Sequence, residues 1–383
     1  MSEPIIIIGS GLAGYTVARE FRKLDAETPL LIVSSDHGGF YSKPTLSNAL
    51  ATGKTPATIV TASAEKMAEQ LKATVRSHHR LAAIDPHNKA VALEGGERLS
   101  YRELVLALGA DPVRLPLEGN AADEILSVND LDDYQRLRDA LEGKKRVTIL
   151  GGGLIGCEFA NDLVAAGYQA SIIDISNQPL GRLLPPPAGA FLQRKLEAAG
   201  VRFYLGEATE RVERIGENFR LTLASGKTIE TDLVLSAVGL SPRTTIAKAA
   251  GIHVNRGIAV NRSLQTHHAS VYALGDCAEV EGRVLPFVMP IMHAARGLAA
   301  TLAQNHTLVK YPAMPVLVKT PACPTIVAPP ESTAQGEWVI EEDETGLKAL
   351  FKSADGKLLG FALMGSATRE RAALSAQLPA IME

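Results

Sequence analysis

Apolar residues in this chain fall into short unbroken runs that alternate with longer segments of helical period. The run at 5–8 is followed by apolar positions spaced for a helix over 12–24 and by a second run at 29–34. This strand, helix, strand order predicts a βαβ unit. A polar helical stretch at 64–71 and strands at 90–93 and 104–107 follow, ending in Gly109-Ala-Asp-Pro112. A connector carrying Pro112, Pro116 and Gly119 leads to a helix over 130–141, and the pattern restarts. The restart comprises a strand at 147–150, an apolar-periodic segment, a strand at 170–175, a helix at 188–199, a β meander at 219–223 and 228–230, and Leu233 through Gly239. That last run mirrors Leu104 through Gly109, and each ends in Gly-x-x-Pro. Two homologous-looking halves are implied. Beyond Gly257 come a strand at 271–275 and a helix over 290–304, with Pro290 in the first turn, where a missing N–H is harmless. Strands at 316–319, 338–340, 348–351 and 358–364, then a helix from Arg369, predict a small α+β domain.

Each half opens with a glycine fingerprint placed between strand and helix. These are Gly9-Ser-Gly11-Leu-Ala-Gly14 and Gly151-Gly-Gly153-Leu-Ile-Gly156. The first glycine permits the tight turn, the second admits a pyrophosphate against the backbone, and the third lets helix pack on strand. The helix N-terminus then faces the anion. One chain is expected to hold two dinucleotides. Asp36 falls about 20 residues beyond Gly14, where an acidic side chain accepts from an adenosine ribose. Asp174 ends the matching strand of the second half and favours a 2′-hydroxyl, hence NADH over NADPH, although Arg182 tempers that preference.

Composition narrows the chemistry. At 383 residues the chain is long enough for two or three domains. Its 39 basic and 42 acidic residues are interspersed, giving a net charge of −3 and no basic tract for nucleic acid or an anionic membrane. The sequence contains no apolar run long enough to span a bilayer, and the first strand starts almost at Met1, which leaves no room for a signal peptide and makes the cytoplasm the expected location. Cys157, Cys277 and Cys323 stand apart, without metal-ligand spacing, and are expected to be buried small hydrophobes. No iron–sulfur or zinc site is encoded, so single-electron chemistry through iron requires a separate protein.

The strand ending in Gly275-Asp276 completes a pattern with the two fingerprints and the paired Gly-x-x-Pro segments. In this the chain resembles, over essentially its whole length, the two-dinucleotide-binding flavoproteins of glutathione reductase type. It departs from the disulfide reductases where they carry a redox-active cysteine pair, reading instead Tyr41-Ser-Lys43-Pro44-Thr-Leu-Ser-Asn. With Gly156-Cys-Glu158-Phe-Ala-Asn-Asp, Val318-Lys319-Thr-Pro-Ala-Cys-Pro324 and the compact C-terminal domain, that segment looks like the rubredoxin reductases. The resemblance implies an α/β fold of two Rossmann-like domains plus a small α+β domain. The FAD-binding domain would span 1–112 and 241–314, the inserted NAD-binding domain 113–240, and the C-terminal domain 315–383.

The same resemblance implies roles residue by residue. Gly9, Gly11, Gly14 and Asp36 would serve the ADP moiety of FAD, Gly109 its approach, and Asp276 the ribitol. Lys43, Pro44, Met289 and Lys319 are further expected FAD contacts, with Lys319 assigned either to the flavin or to the partner-docking surface. Gly151, Gly153, Gly156, Asp174 and Gly239 would hold NADH. Lys43 is expected to face the flavin and to pair with Glu158, the two forming the catalytic set. The N-terminus of the 290–304 helix would stabilise negative charge on the reduced flavin, while His293 on that helix is expected to be a packed core residue. The implied activity is hydride transfer from NADH to FAD, then single electrons to rubredoxin, a small acidic iron carrier, for alkane hydroxylation or oxygen and peroxide detoxification. The alternatives are a flavorubredoxin or ferredoxin reductase and, from a different class, a redox-sensing FAD/NADH interaction protein.

Overall fold

The computed structural model describes residues 3–383. Its first sheet is parallel throughout, in the order Val271–Ala273, Glu103–Leu106, Ile5–Ile8, Leu30–Val33, Thr74–Arg76. Ile5–Ile8 and Leu30–Val33 are buried at every position, as strands must be when both faces of a sheet are covered. The helix Leu12–Arg22 packs against the helix Val288–Leu302, which lies far along the sequence. The strand Val271–Ala273 also arrives late, joining a sheet that the N-terminal residues began.

Between these visits the chain builds a second parallel sheet, ordered Arg202–Leu205, Gln169–Asp174, Arg146–Leu150, Leu233–Ser236. An antiparallel meander of Thr209–Ile215, Asn218–Leu223 and Thr228–Thr231 flanks it. The two Gly-x-x-Pro segments mark the crossings between the units, and they pair with each other. Ala110–Pro112 runs antiparallel to Leu240–Pro242, with Ala110 opposite Pro242 and Asp111 opposite Ser241. The fold is therefore two Rossmann-like units, the second inserted in the first.

The C-terminal residues form an antiparallel sheet ordered Val316–Val318, Thr325–Ala328, Leu358–Gly365, Gly346–Lys352, Glu337–Glu342. It shares an apolar core with the second unit, where Val318, Val327, Leu347 and Met364 join Ile149, Phe159 and Leu192. The chain end returns to the first unit, Met382 bridging Tyr311.

Several elements differ from expectation. Thr325–Ala328 is a further strand, bracketed by Pro324 and Pro329-Pro330, that is not among the expected ones. The helix expected from Arg369 begins as a 3₁₀ turn, Ser366–Glu370, and becomes α-helical only over Arg371–Ser375. Lys43–Asn48 forms a 3₁₀ turn, with Pro44 near its start.

Candidate functional site

The two fingerprints adopt nearly the same backbone. Gly11 and Gly153 are the N-caps of their helices, at φ −71°, ψ −170° and φ −73°, ψ −170°, and neither helix carries a side-chain cap. Their first-turn N–H groups are thus free for an anion. A Cβ on either glycine would meet nothing within 4 Å. Gly9 and Gly151 lie at φ +116° and +101°, conformations that L side chains rarely adopt. A Cβ on Gly14 would collide with the carbonyl of Gly9, and one on Gly156 with that of Gly151. In each fingerprint the outer glycines are fixed by the fold, and the middle one leaves room.

Acidic side chains flank both turns. Asp36 Oδ1 accepts from Ser34 Oγ at 2.6 Å, from the Gly38 N–H at 2.8 Å and from Ser10 Oγ, within the first fingerprint, at 3.3 Å. Among the described residues no hydrogen bond uses its Oδ2. Asp174 uses both oxygens, one accepting from the Gly152 N–H of the second fingerprint and the other from the Ser176 N–H at 2.6 Å. It braces the turn as well as marking the strand end.

Asp276 lies in the 3₁₀ turn Gly275–Cys277, directly after Val271–Ala273. A Cβ on Gly275 would stand 2.8 Å from the Ala13 side chain, so this turn abuts the first fingerprint helix. Burial pushes the Asp276 carboxyl above the usual range, and the Lys43 ammonium pulls it partly back. Lys43 shows the converse. Burial lowers it, and Asp276 is the leading charge that restores it. Each is the leading charge acting on the other. Lys43 Nζ donates to Asn129 Oδ1 at 2.6 Å, and Asn129 Nδ2 donates to the Ala110 carbonyl at 2.9 Å.

Glu158 is fully buried on the second fingerprint helix, Leu154–Ala165. Its Oε2 accepts from Lys319 Nζ and from Ser47 Oγ, each at 2.5 Å, and its Oε1 accepts from the Lys319 backbone N–H at 2.8 Å. Lys319 Nζ also donates to the Pro44 carbonyl at 2.8 Å. The same helix face carries Asn161, whose Oδ1 accepts from the Ala322 N–H at 3.0 Å, and Asp162, which accepts from the Leu50 and Ala51 N–H groups at 2.8 and 3.2 Å. One helix thus grips both the first unit and the C-terminal unit.

Residues 3–299 match the pyridine nucleotide-disulphide oxidoreductase family, and residues 308–378 match a rubredoxin binding C-terminal domain. The chain is 50% identical to a rubredoxin-NAD(+) reductase from Alcanivorax borkumensis over 99% of each protein. It is 37% identical to a nitric oxide reductase FlRd-NAD(+) reductase from Aeromonas salmonicida, covering 99% of this chain and 97% of the other. A solved ferredoxin reductase from Rhodopseudomonas palustris superposes with a TM-score of 0.89 at 26% identity, over 99% of this chain and 96% of that one. The chain belongs to the pyridine nucleotide-disulphide oxidoreductase family.

As a member of that oxidoreductase family it uses FAD and NADH, and the residues present fit both. Each fingerprint offers an open cradle at an uncapped helix N-terminus beside a carboxylate. The structure gathers Gly9, Gly11, Gly14, Asp36 and Asp276 around the first fingerprint and Gly151, Gly153, Gly156 and Asp174 around the second. Gly109 and Gly239 are both left-handed, at φ +75° and +123°, and lead into the paired crossings. Met289 is exposed in the first turn of Val288–Leu302, and the nearby His293 is half-buried, its imidazole lowered by burial and by Arg296.

The expected Lys43–Glu158 pair is corrected. Lys43, at the start of the 3₁₀ turn, reaches Asn129, while Ser47, four residues later, faces Glu158, and Lys319 completes the ion pair. All three cysteines are buried, their thiols raised by desolvation, that of Cys277 to about 11. Among the described residues no group of three His, Cys, Asp or Glu side chains is placed to hold a metal, and no helix is long and apolar enough to cross a membrane. Asn129, Ser47, Asn161 and Asp162 went unread as site residues. The last two had a signal, since with Glu158 they interrupt an otherwise apolar helix at i, i+3 and i+4.

Proposed function

We propose that this chain takes a hydride from NADH bound at the second fingerprint and passes the electrons singly to rubredoxin in the cytoplasm. When bound, FAD supplies the step between two-electron and one-electron chemistry. The observation that carries the reading is the junction at Glu158. There the NADH-side helix, the 3₁₀ turn beside the FAD site and the segment matching a rubredoxin binding domain meet on one buried carboxylate.

The residues have distinct tasks in this scheme. Gly11 and Gly153 leave the helix N-termini open to the pyrophosphates, and Asp276 accepts from the ribitol, an exchange that relieves its own desolvation. Lys43, with no carboxylate at ion-pair distance among the described residues, supplies positive charge where the reduced cofactor gains negative charge, while Lys319 is paired with Glu158. Among the described residues the buried, separated cysteines offer no disulfide to receive electrons, which directs them to an external acceptor. The units are taken as 1–112 with 241–314 for FAD, 113–240 for NADH and 315–383 for the acceptor.

Mixing NADH-reduced protein with rubredoxin or with a [2Fe-2S] ferredoxin in a stopped-flow instrument tests the proposal. Rubredoxin should be reduced much faster than ferredoxin, and the opposite order refutes it. A second reading, reduction of a flavorubredoxin, is favoured by the 37% identity to the FlRd-NAD(+) reductase. A faster reaction with a flavorubredoxin than with a free-standing rubredoxin would select it.

A further inference from the structure

Asn129 lies immediately before the helix Leu131–Ala140, in the connector between the two fingerprint units, and it is buried. Three of its polar groups are engaged. Its backbone N–H donates to Asp133 Oδ2 at 2.8 Å, its Nδ2 to the Ala110 carbonyl at 2.9 Å, and its Oδ1 accepts from Lys43 Nζ at 2.6 Å. A carbonyl can only accept, so the bond to Ala110 decides which end of the amide faces Lys43. Ala110 is itself held by pairing with Pro242, and Asp133 by donating its N–H to Asp130 Oδ1 at 2.8 Å. The amide has one orientation and a rigid mount.

Lys43 depends on it. Among the described residues no carboxylate lies within ion-pair distance of Lys43, and Asn129 is its one side-chain hydrogen-bond partner. The acidic groups Asp276, Asp130 and Asp133 act on it through space, and Arg243 opposes them. An ammonium has three donors, so two remain beyond the bond to Asn129.

We propose that Asn129 is a positioning residue that holds the Lys43 ammonium at the flavin site through a neutral acceptor, leaving its positive charge uncancelled. A carboxylate at this position would form an ion pair and remove the charge that favours the reduced cofactor. An alanine would release the side chain. The inference rests on the first fingerprint unit being the FAD site.

The experiment uses the full chain with Asn129→Ala and Asn129→Asp, each also made with Lys43→Met. In FAD-loaded protein the midpoint potential of the flavin should move to more negative values in both single variants. With Lys43→Met in the background, neither substitution at 129 should move it further. Equal shifts in both backgrounds, or no shift in either, overturn the proposal. In FAD-free protein, acetic anhydride labelling of Lys43, read by mass spectrometry, should accelerate about tenfold in Asn129→Ala, the order expected for loss of one charge-assisted hydrogen bond. An unchanged labelling rate also overturns it. If one variant misfolds, the other still decides. Wild-type protein that retains no flavin would instead refute the assignment of the FAD site, while the labelling result would stand.

Discussion

Glu158 and Lys319 form an ion pair at 2.5 Å between the second fingerprint helix and the C-terminal sheet, 161 residues apart in sequence. The glutamate is fully buried and the lysine side chain is 32% exposed, so the cost of separating them falls mainly on the carboxylate. Lys319→Met should destabilise the protein by about 3 kcal/mol, because a buried charge is left without its partner. Glu158→Gln should cost less, since an amide can still accept from the Lys319 N–H. Chemical denaturation of the two variants checks the order, and equal losses would show that the ion pair contributes little.

The fingerprint glycines should separate into two classes. Gly14→Ala and Gly156→Ala put a methyl group into a carbonyl and should lower the thermal stability of the ligand-free protein. Gly11→Ala and Gly153→Ala have open space and an ordinary extended backbone, so the fold should survive while the nucleotide meets the new methyl. Flavin retained after gel filtration should fall for Gly11→Ala, and the KM for NADH should rise for Gly153→Ala. Thermal unfolding of all four ligand-free variants provides the control, and a uniform loss of stability would reject the distinction.

Asp276 should trade stability for cofactor binding. Its carboxyl is raised in the folded protein, so the folded state keeps a proton that the unfolded chain has already lost. Stability contributed by this group therefore falls as pH rises from the unfolded value of about 3.9 through the folded one. The cost is fully present above that window. Asp276→Asn should raise the melting temperature of FAD-free protein at neutral pH and lower FAD retention. A variant that melts lower while retaining FAD would overturn both halves.

Asp174 should set the coenzyme preference. The wild type should favour NADH over NADPH in kcat/KM, and Asp174→Ala should lose about tenfold with NADH, with little change for NADPH, as expected from loss of about 1.4 kcal/mol of binding. Because Asp174 also holds the Gly152 N–H, part of the loss should appear as a looser turn. Steady-state kinetics with both coenzymes decide, and a wild-type preference for NADPH would refute the assignment.

The fingerprints were legible because their chemistry is local: strand, glycines and helix lie within a short stretch, and every glycine reports a backbone requirement. The repeated Gly-x-x-Pro segments revealed two related halves for the same reason. The partner of Glu158 was not legible. Lys43 and Lys319 are both basic, and only the three-dimensional path of the Lys43–Asn48 turn decides which one reaches the glutamate. Asn129 was hidden because its importance lies in three long- and short-range contacts of an ordinary amide, with no repeat or unusual composition around it. The strand Thr325–Ala328 was hidden by the prolines that bracket it, which shorten the element without preventing antiparallel pairing on both sides.

The pairing of Ala110–Pro112 with Leu240–Pro242 sets how the halves are joined. The chain leaves the first unit and comes back to it at neighbouring points, so the two crossings form a two-ply strap. The Leu154–Ala165 helix ties the units a second time, through Glu158 to Ser47 and through Asp162 to the Leu50 and Ala51 N–H groups, so the inserted unit is held at two separate places. Taking the inserted unit out would strip the C-terminal sheet of the core that Val318, Val327, Leu347 and Met364 share with Ile149, Phe159 and Leu192, so the three units stand or fall together.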